Sequence, residues 1–199
     1  MFGFDENTVL LANEHCQLML LSPTHLNELV EAVKDGELWQ LWYTTIPHPD
    51  VMQTEIERRL TLLKEGKMLP FSIVNTDTDQ IVGMTTFLNI EPEHKRLEIG
   101  GTWLRKSCQH TSINLAAKIL LLEFAFEELG FNAVEFRTHR LNQQSRKAIE
   151  KLGAQLDGIL RQHIIMPDGS LRDTCVYSII QSEWPTIQSN LDFLLASTE

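Results

Sequence analysis

The chain has 199 residues, of which 43% are hydrophobic and 22% charged, and 27 acidic against 17 basic residues give a net charge of −10. This length predicts a single domain over residues 1–199, with a core large enough to need no disulfide or metal. The acidic balance argues against a general nucleic-acid binder, and no apolar run approaches the ~20 residues of a membrane span.

Cysteine and histidine usage limits the class of protein further. Cys16, Cys108 and Cys175 are scattered and odd in number, which is typical of reduced thiols in the cytoplasm. The first residues show no signal-peptide pattern, and the seven histidines show no paired metal spacing. We therefore expect a cytoplasmic monomer or homodimer with no metal, no membrane partner and no nucleic-acid partner.

Charge is divided unevenly along the chain. Residues 1–94 carry a net −10, residues 95–172 a net +4 and residues 173–199 a net −4. A basic segment inside an acidic protein indicates a site for a small polyanion, although chance clustering explains the count equally well.

The first half of the chain predicts strands, two helices and a hairpin. Ser22 reads as an N-cap with Pro23 at the first helical position, and Asp50 as the cap of a second helix. An irregular aromatic stretch, Trp39 to Tyr43, lies between them. The strands are expected at 9–12, 16–21, 71–74 and 81–88, and the helices at 23 to about 36 and 50–64.

The second half alternates strands and helices. Gly100-Gly101 lies inside a predicted strand, where glycines mark a bulge or a close backbone approach. The segment 113–129 is so apolar that its helix must be buried against a sheet. Strands are expected at 97–104, 133–138, 159–166 and 171–180, with further helices at 142–152 and 182–195. This order predicts an α+β or α/β sheet between helices.

Two junctions between strand and helix could hold an anion or a substrate. The helix that begins near Thr111 has no acid in its first turn, so its free amides and dipole are open to phosphates. At the second junction Asn142 and Ser145 are three residues apart and share one side of a helical turn. In each case the alternative is an ordinary helix cap, by Thr111 or Ser112 and by Asn142.

Several ordered blocks resemble GNAT-superfamily acetyltransferases of the ribosomal-protein N-terminal (alanine/serine) type. They cover nearly the whole chain, and those of its second half are specific. The blocks are Leu97-Glu98-Ile99-Gly100, the helix from Lys118 to Glu127, Asn142 to Ala154, Gly158 to Arg161, Pro167 to Asp173, Val176 to Ile179, and Glu183-Trp184-Pro185.

The resemblance implies the GNAT fold, an α+β arrangement whose mixed, mostly antiparallel sheet is splayed and flanked by helices. Acetyl-CoA would lie in the splay, with its pantetheine arm along Trp103 and Leu104 and in contact with Asn142. Ser145 would act as general acid for the departing thiolate. The pyrophosphate would rest on the amides of Gln109, His110, Thr111, Ser112, Ile113 and Asn114.

The reaction that the resemblance implies is direct attack of a primary amine on the thioester, which needs a base because the amine is mostly protonated. Glu98 is the candidate base and Glu135 the weaker one; a salt-bridged strand glutamate explains Glu98 equally well. The Trp39–Tyr43 stretch would lie at the acceptor. The acidic first half could favour a cationic acceptor, a basic protein N-terminus or a polyamine, and a small-molecule amine is also open.

The chain departs from the superfamily at its phosphate loop, where His110 and Ser112 take the usual glycine positions and could crowd the pyrophosphate. His139 stands where relatives often carry an acid; it could face the substrate, but a solvent-exposed loop histidine is the preferred interpretation. Two alternatives to an acetyltransferase therefore stay open. One is a non-catalytic acyl-CoA-binding module, and the other is a protein-interaction subunit whose cleft is vestigial.

Overall fold

Alternating apolar residues build one eight-stranded sheet in the computed structural model, which describes residues 9–197. The spatial order is β1-β2-β3-β4-β5-β6-β8-β7, and every neighbouring pair is antiparallel except β5 and β6. The predicted mixed, mostly antiparallel sheet is therefore confirmed. The strands are β1 (Leu10–Ala12), β2 (Cys16–Leu20), β3 (Met68–Asn75), β4 (Gln80–Glu91), β5 (Arg96–Leu104), β6 (Ala133–His139), β7 (Gln155–Ile165) and β8 (Leu171–Ile180).

Within residues 9–197 five α-helices pack on the sheet, and buried residues of helices and sheet form two apolar clusters. One cluster joins α1 and α2 to Val74, Met84 and Trp103, and the other joins α3 and α5 to the inner residues of most strands. No helix among residues 9–197 is long and apolar enough to cross a membrane. The helices are α1 (Leu26–Lys34), α2 (Met52–Lys64), α3 (Ser112–Glu123), α4 (Gln143–Lys151) and α5 (Trp184–Ala196).

Two of the predicted caps can be compared with the structure. The Ser22 hydroxyl accepts a hydrogen bond from the Thr24 amide, as predicted, and a short 3₁₀ turn then leads into α1. The expected cap by Asp50 is wrong: Nδ1 of His48 accepts the amide of Asp50, and Pro49 opens a 3₁₀ turn before α2. Histidine can replace a carboxylate here because its unprotonated ring nitrogen is also an acceptor.

The apolar helix predicted at 113–129 consists of two parts. It is α-helical through Glu123 and then makes a π-helical turn over Phe124–Glu128. Phe124 stacks on Phe87 of the sheet, while Phe126 stacks on Trp184 at the start of α5. The wider turn lets two aromatic rings of one segment pack against different partners. The helix is buried, as predicted.

The pairing of β5 with β6 is short and leaves an opening in the sheet. Only residues 96–98 of β5 pair with residues 133–135 of β6, and beyond them the two strands part. On its other side β5 has the predicted bulge: Gly100 pairs with Thr86 and Trp103 with Met84, so Gly101 and Thr102 together lie opposite a single residue of β4. Gly101 has φ +57, a conformation that glycine adopts without strain.

Candidate active site

A cleft of about 880 Å³ lies where β5 and β6 part. Its walls come from β5, the first turns of α3, β6, the first turns of α4 and the segment 38–46. Most of the residues predicted from the sequence to bind or act on a substrate line this cleft, namely Trp103, Leu104, Gln109, His110, Thr111, Asn114, Asn142 and Ser145.

Ser112 and Ile113 are not on the wall. The Ile113 side chain is 5% exposed and packs in the core, and the Ser112 hydroxyl lies 3.3 Å from Nδ1 of His15. Among the amides predicted to hold a pyrophosphate, two already have partners. The Gln109 amide donates to the Lys106 carbonyl, and the Ile113 amide donates to the Thr111 hydroxyl. That part of the prediction is too broad.

The start of α3 is nevertheless suited to an anion. Thr111 is its N-cap, and no acidic residue lies in its first turn. Because the first amides of a helix have no partner within it, those of Thr111, Ser112 and Asn114 remain available. His110 stands before them at φ +64 with an exposed side chain. This is a left-handed backbone position, so the loop keeps a glycine-like conformation despite its histidine, at a cost of roughly 1–2 kcal/mol.

The charge of the cleft is opposite to that of the protein. Among residues 9–197 its lining contains five lysines and arginines and no aspartate or glutamate, in a chain of net charge −10. All five come from the basic segment 95–172, which supports the prediction of a small polyanion site there. They are Lys118, Arg137, Lys147, Lys151 and Arg172.

Asn142 and Ser145 lie at the start of α4 on the opposite wall. The Asn142 side-chain oxygen accepts the amide of Ser145 at 3.0 Å, so Asn142 is the N-cap that the sequence offered as an alternative. The Ser145 hydroxyl is half-buried and has no hydrogen-bond partner among residues 9–197. It is free to bond to a ligand in the cleft.

Glu98 and Glu135 face each other at the last β5–β6 pair, and each is 6% exposed. Arg96 and Arg137 occupy the two oxygens of Glu135. In Glu98 one oxygen, Oε2, accepts from Asn89 at 2.8 Å and lies 3.5 Å from Arg137. The other, Oε1, has no hydrogen bond within the described chain.

Neither glutamate lies on the cleft wall, but Glu98 lies directly behind it. Its Oε1 is 3.0 Å from the position that a Cβ atom would take on Gly100, and Gly100 does line the cleft. Burial raises the pKa of the Glu98 carboxyl, against the opposing effect of its bond from Asn89. A carboxylate with a raised pKa is a stronger base than an exposed one.

The expectation that His139 is exposed to solvent is wrong. The side chain is 5% exposed, its Nδ1 accepts the Leu141 amide at 2.9 Å, and its ring lies against that of Trp42 with centroids 5.2 Å apart. Burial, followed by the charge of Arg172, lowers the pKa of His139. Because Nδ1 accepts the Leu141 amide, a neutral His139 ring carries its proton on Nε2, which can act as a donor.

The aromatic segment Trp39–Tyr43 borders the cleft through Leu41 and Tyr43, but it does not form one aromatic wall. Tyr43 lines the cleft, whereas Trp39 packs on His48. Lys118 is a residue that sequence reasoning missed. The available signal was a single charge inside the apolar run of α3, and the structure shows it 6% exposed on the cleft wall. No cluster of metal ligands occurs within residues 9–197.

The chain matches one protein-family model and several curated proteins. Residues 17–155 match the family described as Acetyltransferase (GNAT) domain. Among curated proteins, "Uncharacterized N-acetyltransferase p20" of Bacillus licheniformis is 30% identical over 142 residues, which cover 69% of this chain and 78% of that protein. "Putative ribosomal N-acetyltransferase YdaF" of Bacillus subtilis is 25% identical over 178 residues, which cover 86% and 94% respectively.

Solved structures agree over almost the whole chain. An acetyltransferase structure from T. thermophilus is 31% identical with a TM-score of 0.83, and the match covers 98% of this chain and 100% of that one. Mycobacterium smegmatis RimJ in complex with CoA-disulfide is 18% identical with a TM-score of 0.78, covering 95% and 93%. At that identity the second match indicates a shared fold.

Proposed function

This chain belongs to the GNAT acetyltransferase family, and we propose that it transfers the acetyl group of acetyl-CoA to a primary amine by direct attack on the thioester. The observation that carries the proposal is the cleft between β5 and β6. It combines an acid-free helix start with a lining that, over the described part of the chain, holds five lysines and arginines and no acid. CoA is a small polyanion with a long neutral arm, so it matches both the charge and the shape of this opening.

The residues present fit such a ligand. The free amides at Thr111, Ser112 and Asn114 would hold the pyrophosphate, and Lys147 and Lys151 of α4 add positive charge to the same cleft. The edges of β5 and β6 have no strand partner beyond Glu98 and Glu135, so an extended arm with amide groups could bond to them near Trp103 and Leu104. At Leu104 the arm would replace the Gln109 side-chain amide, which donates to the Leu104 carbonyl at 3.0 Å. The RimJ neighbour that binds CoA-disulfide supports this assignment through its fold.

We assign one proton transfer and the stabilisation of the leaving thiolate to two side chains. Glu98 accepts the proton of the attacking amine, through a water beside Gly100, because its Oε1 is unbonded and its raised pKa makes it basic. The Ser145 hydroxyl bonds to the departing thiolate, since it lines the cleft without a partner. Glu135 is the weaker choice as base because two arginines already hold it.

The proposed acceptor is a protein N-terminus, with a small-molecule amine as the alternative. The name of YdaF, a ribosomal N-acetyltransferase, supports a ribosomal protein, and such an acceptor would place the enzyme in the cytoplasm. None of the acidic residues between 9 and 94 lines the cleft, so the charge of the described lining gives no support to a cationic acceptor. Tyr43, Thr44 and Thr45 would contact the acceptor.

Calorimetry followed by a turnover assay tests the proposal. Acetyl-CoA should bind with micromolar affinity, and a panel of N-terminal peptides of ribosomal proteins should contain at least one that is acetylated with release of CoA. The control is Lys64→Ala, at an exposed position outside the cleft, which should leave both measurements unchanged. Binding without turnover on any amine would favour the non-catalytic acyl-CoA-binding module, and absence of binding at millimolar acetyl-CoA would refute both.

A further inference from the structure

Lys118 is a buried amine that the proposed reaction does not use. It extends from α3 toward the bulge of β5, where its Nζ donates to the Thr102 hydroxyl at 2.6 Å and to the Thr85 hydroxyl at 3.2 Å. The two hydroxyls are 2.8 Å from each other. No carboxylate among residues 9–197 forms a salt bridge with this nitrogen, so a charged Lys118 has no counter-ion in the described part of the chain.

The position of Lys118 in α3 determines which part of a ligand it can meet. It follows Asn114 by four residues, on the same helix face, and both line the cleft. It lies six residues beyond Ser112, or about 9 Å along the axis from the start of the helix. If phosphates bind to the first amides of α3, Lys118 is too deep for them and lies beside the neutral arm.

The hydrogen bonding of Lys118 is incomplete. An ammonium has three protons to donate, and the two threonine hydroxyls accept two of them. The third has no acceptor among the described residues, although the side chain is 6% exposed and borders the cleft. A buried donor without an acceptor is unfavourable, so a ligand that brings an acceptor gains binding free energy.

Burial has a second consequence for this amine. It lowers the pKa of Lys118 from 10.5 to about 7, and no charged side chain of α3 or of the elements that pack against it contributes. Near neutral pH the free protein therefore contains both the amine and the ammonium. A ligand carbonyl in hydrogen-bond contact favours the ammonium, because a charged donor makes the stronger bond.

We propose that Lys118 is a binding residue for the acyl-pantetheine arm, to which its ammonium donates a hydrogen bond at a carbonyl oxygen deep in the cleft. This inference rests on the proposed use of acetyl-CoA. It assigns to the floor of the cleft a cation that recognises the neutral arm, while the helix start recognises the phosphates.

Proton-linked calorimetry tests this assignment. Acetyl-CoA is titrated at pH 8 in buffers of different ionisation enthalpy, into the protein and into Lys118→Met. At this pH about nine-tenths of a lysine with a pKa of about 7 is neutral. Binding should therefore take up close to one proton per acetyl-CoA, and the variant should bind at least tenfold more weakly and take up none. Adenosine 3′,5′-bisphosphate, which lacks the arm, should give less than half of this uptake.

The outcomes separate the two proposals. Acetyl-CoA binding without proton uptake, or with the same uptake in Lys118→Met, overturns the role of Lys118 and leaves the proposed function standing. Full uptake with adenosine 3′,5′-bisphosphate overturns it as well, because the lysine would then respond to phosphates. Absence of any acetyl-CoA binding to the unaltered protein refutes the proposed function and with it the ligand named here.

Discussion

Replacing Lys118 by methionine should stabilise the protein most at low pH. The fall in the pKa of this buried lysine from 10.5 to about 7 means that folding disfavours its charged form by about 5 kcal/mol. Below pH 7 both the folded and the unfolded chain carry the charge, so the folded protein bears the whole cost. Between pH 7 and pH 10.5 the unfolded chain binds the proton and the folded chain does not, and stability rises with pH.

The free energy of unfolding, measured by urea denaturation from pH 6 to pH 9, checks this reasoning. Relative to Lys118→Met, the unaltered protein should gain about 2 kcal/mol between pH 7 and pH 9. Methionine has a similar length and needs no hydrogen bond, and the Thr85–Thr102 bond remains. The exposed Lys64→Met is the matched control, and its curve should run parallel to that of the unaltered protein. A parallel curve for Lys118→Met would refute the reasoning.

Three further predictions concern the proposed chemistry. Glu98→Gln should lower kcat by about 10²–10⁴-fold with little change in acetyl-CoA affinity, and an unchanged rate would exclude this base. In the unaltered enzyme the fall of kcat/KM at acid pH should be centred above pH 4.5, because burial raises the pKa of Glu98. Ser145→Ala should slow acetyl transfer without loss of stability. Asn142→Ala should slow it too and should lower the free energy of unfolding in urea by about 1 kcal/mol, because it removes the cap of α4. Equal rates for both variants and the unaltered enzyme would remove these residues from the site. His110→Gly should keep acetyl-CoA affinity within about threefold of the unaltered protein. His110→Val should destabilise the fold by roughly 1–2 kcal/mol, because the backbone at this position is left-handed. Equal stability of the two variants would contradict the inference that this position is strained.

Local sequence features predicted most of the fold and part of the site. The bulge at Gly100-Gly101 and the acid-free start of α3 follow from residue types that have few alternatives, and both are present. Strand ends were less predictable: β7 begins at Gln155, four residues before its predicted start at 159. Pairing with β8 determines this end, and pairing partners are distant in sequence.

Two features were missed because they depend on contacts between residues that are far apart in the sequence. His139 is buried because Trp42, almost a hundred residues earlier, covers its ring. The role of Lys118 depends on hydroxyls of two strands, Thr85 and Thr102, that no local pattern connects to α3. Each case needs a distance between side chains that periodicity does not supply.

The three-residue join between β5 and β6 also bears on how the protein avoids aggregation. Past Glu98 and Glu135 the sheet has two internal edges whose backbone groups lack a strand partner. Unpaired edges commonly recruit strands of other molecules. Here the two edges face each other across the cleft, and α3 and α4 border it, so a strand of another molecule would have to enter between these helices. The protein can therefore keep backbone donors and acceptors permanently exposed to a slender ligand while denying them to its own copies.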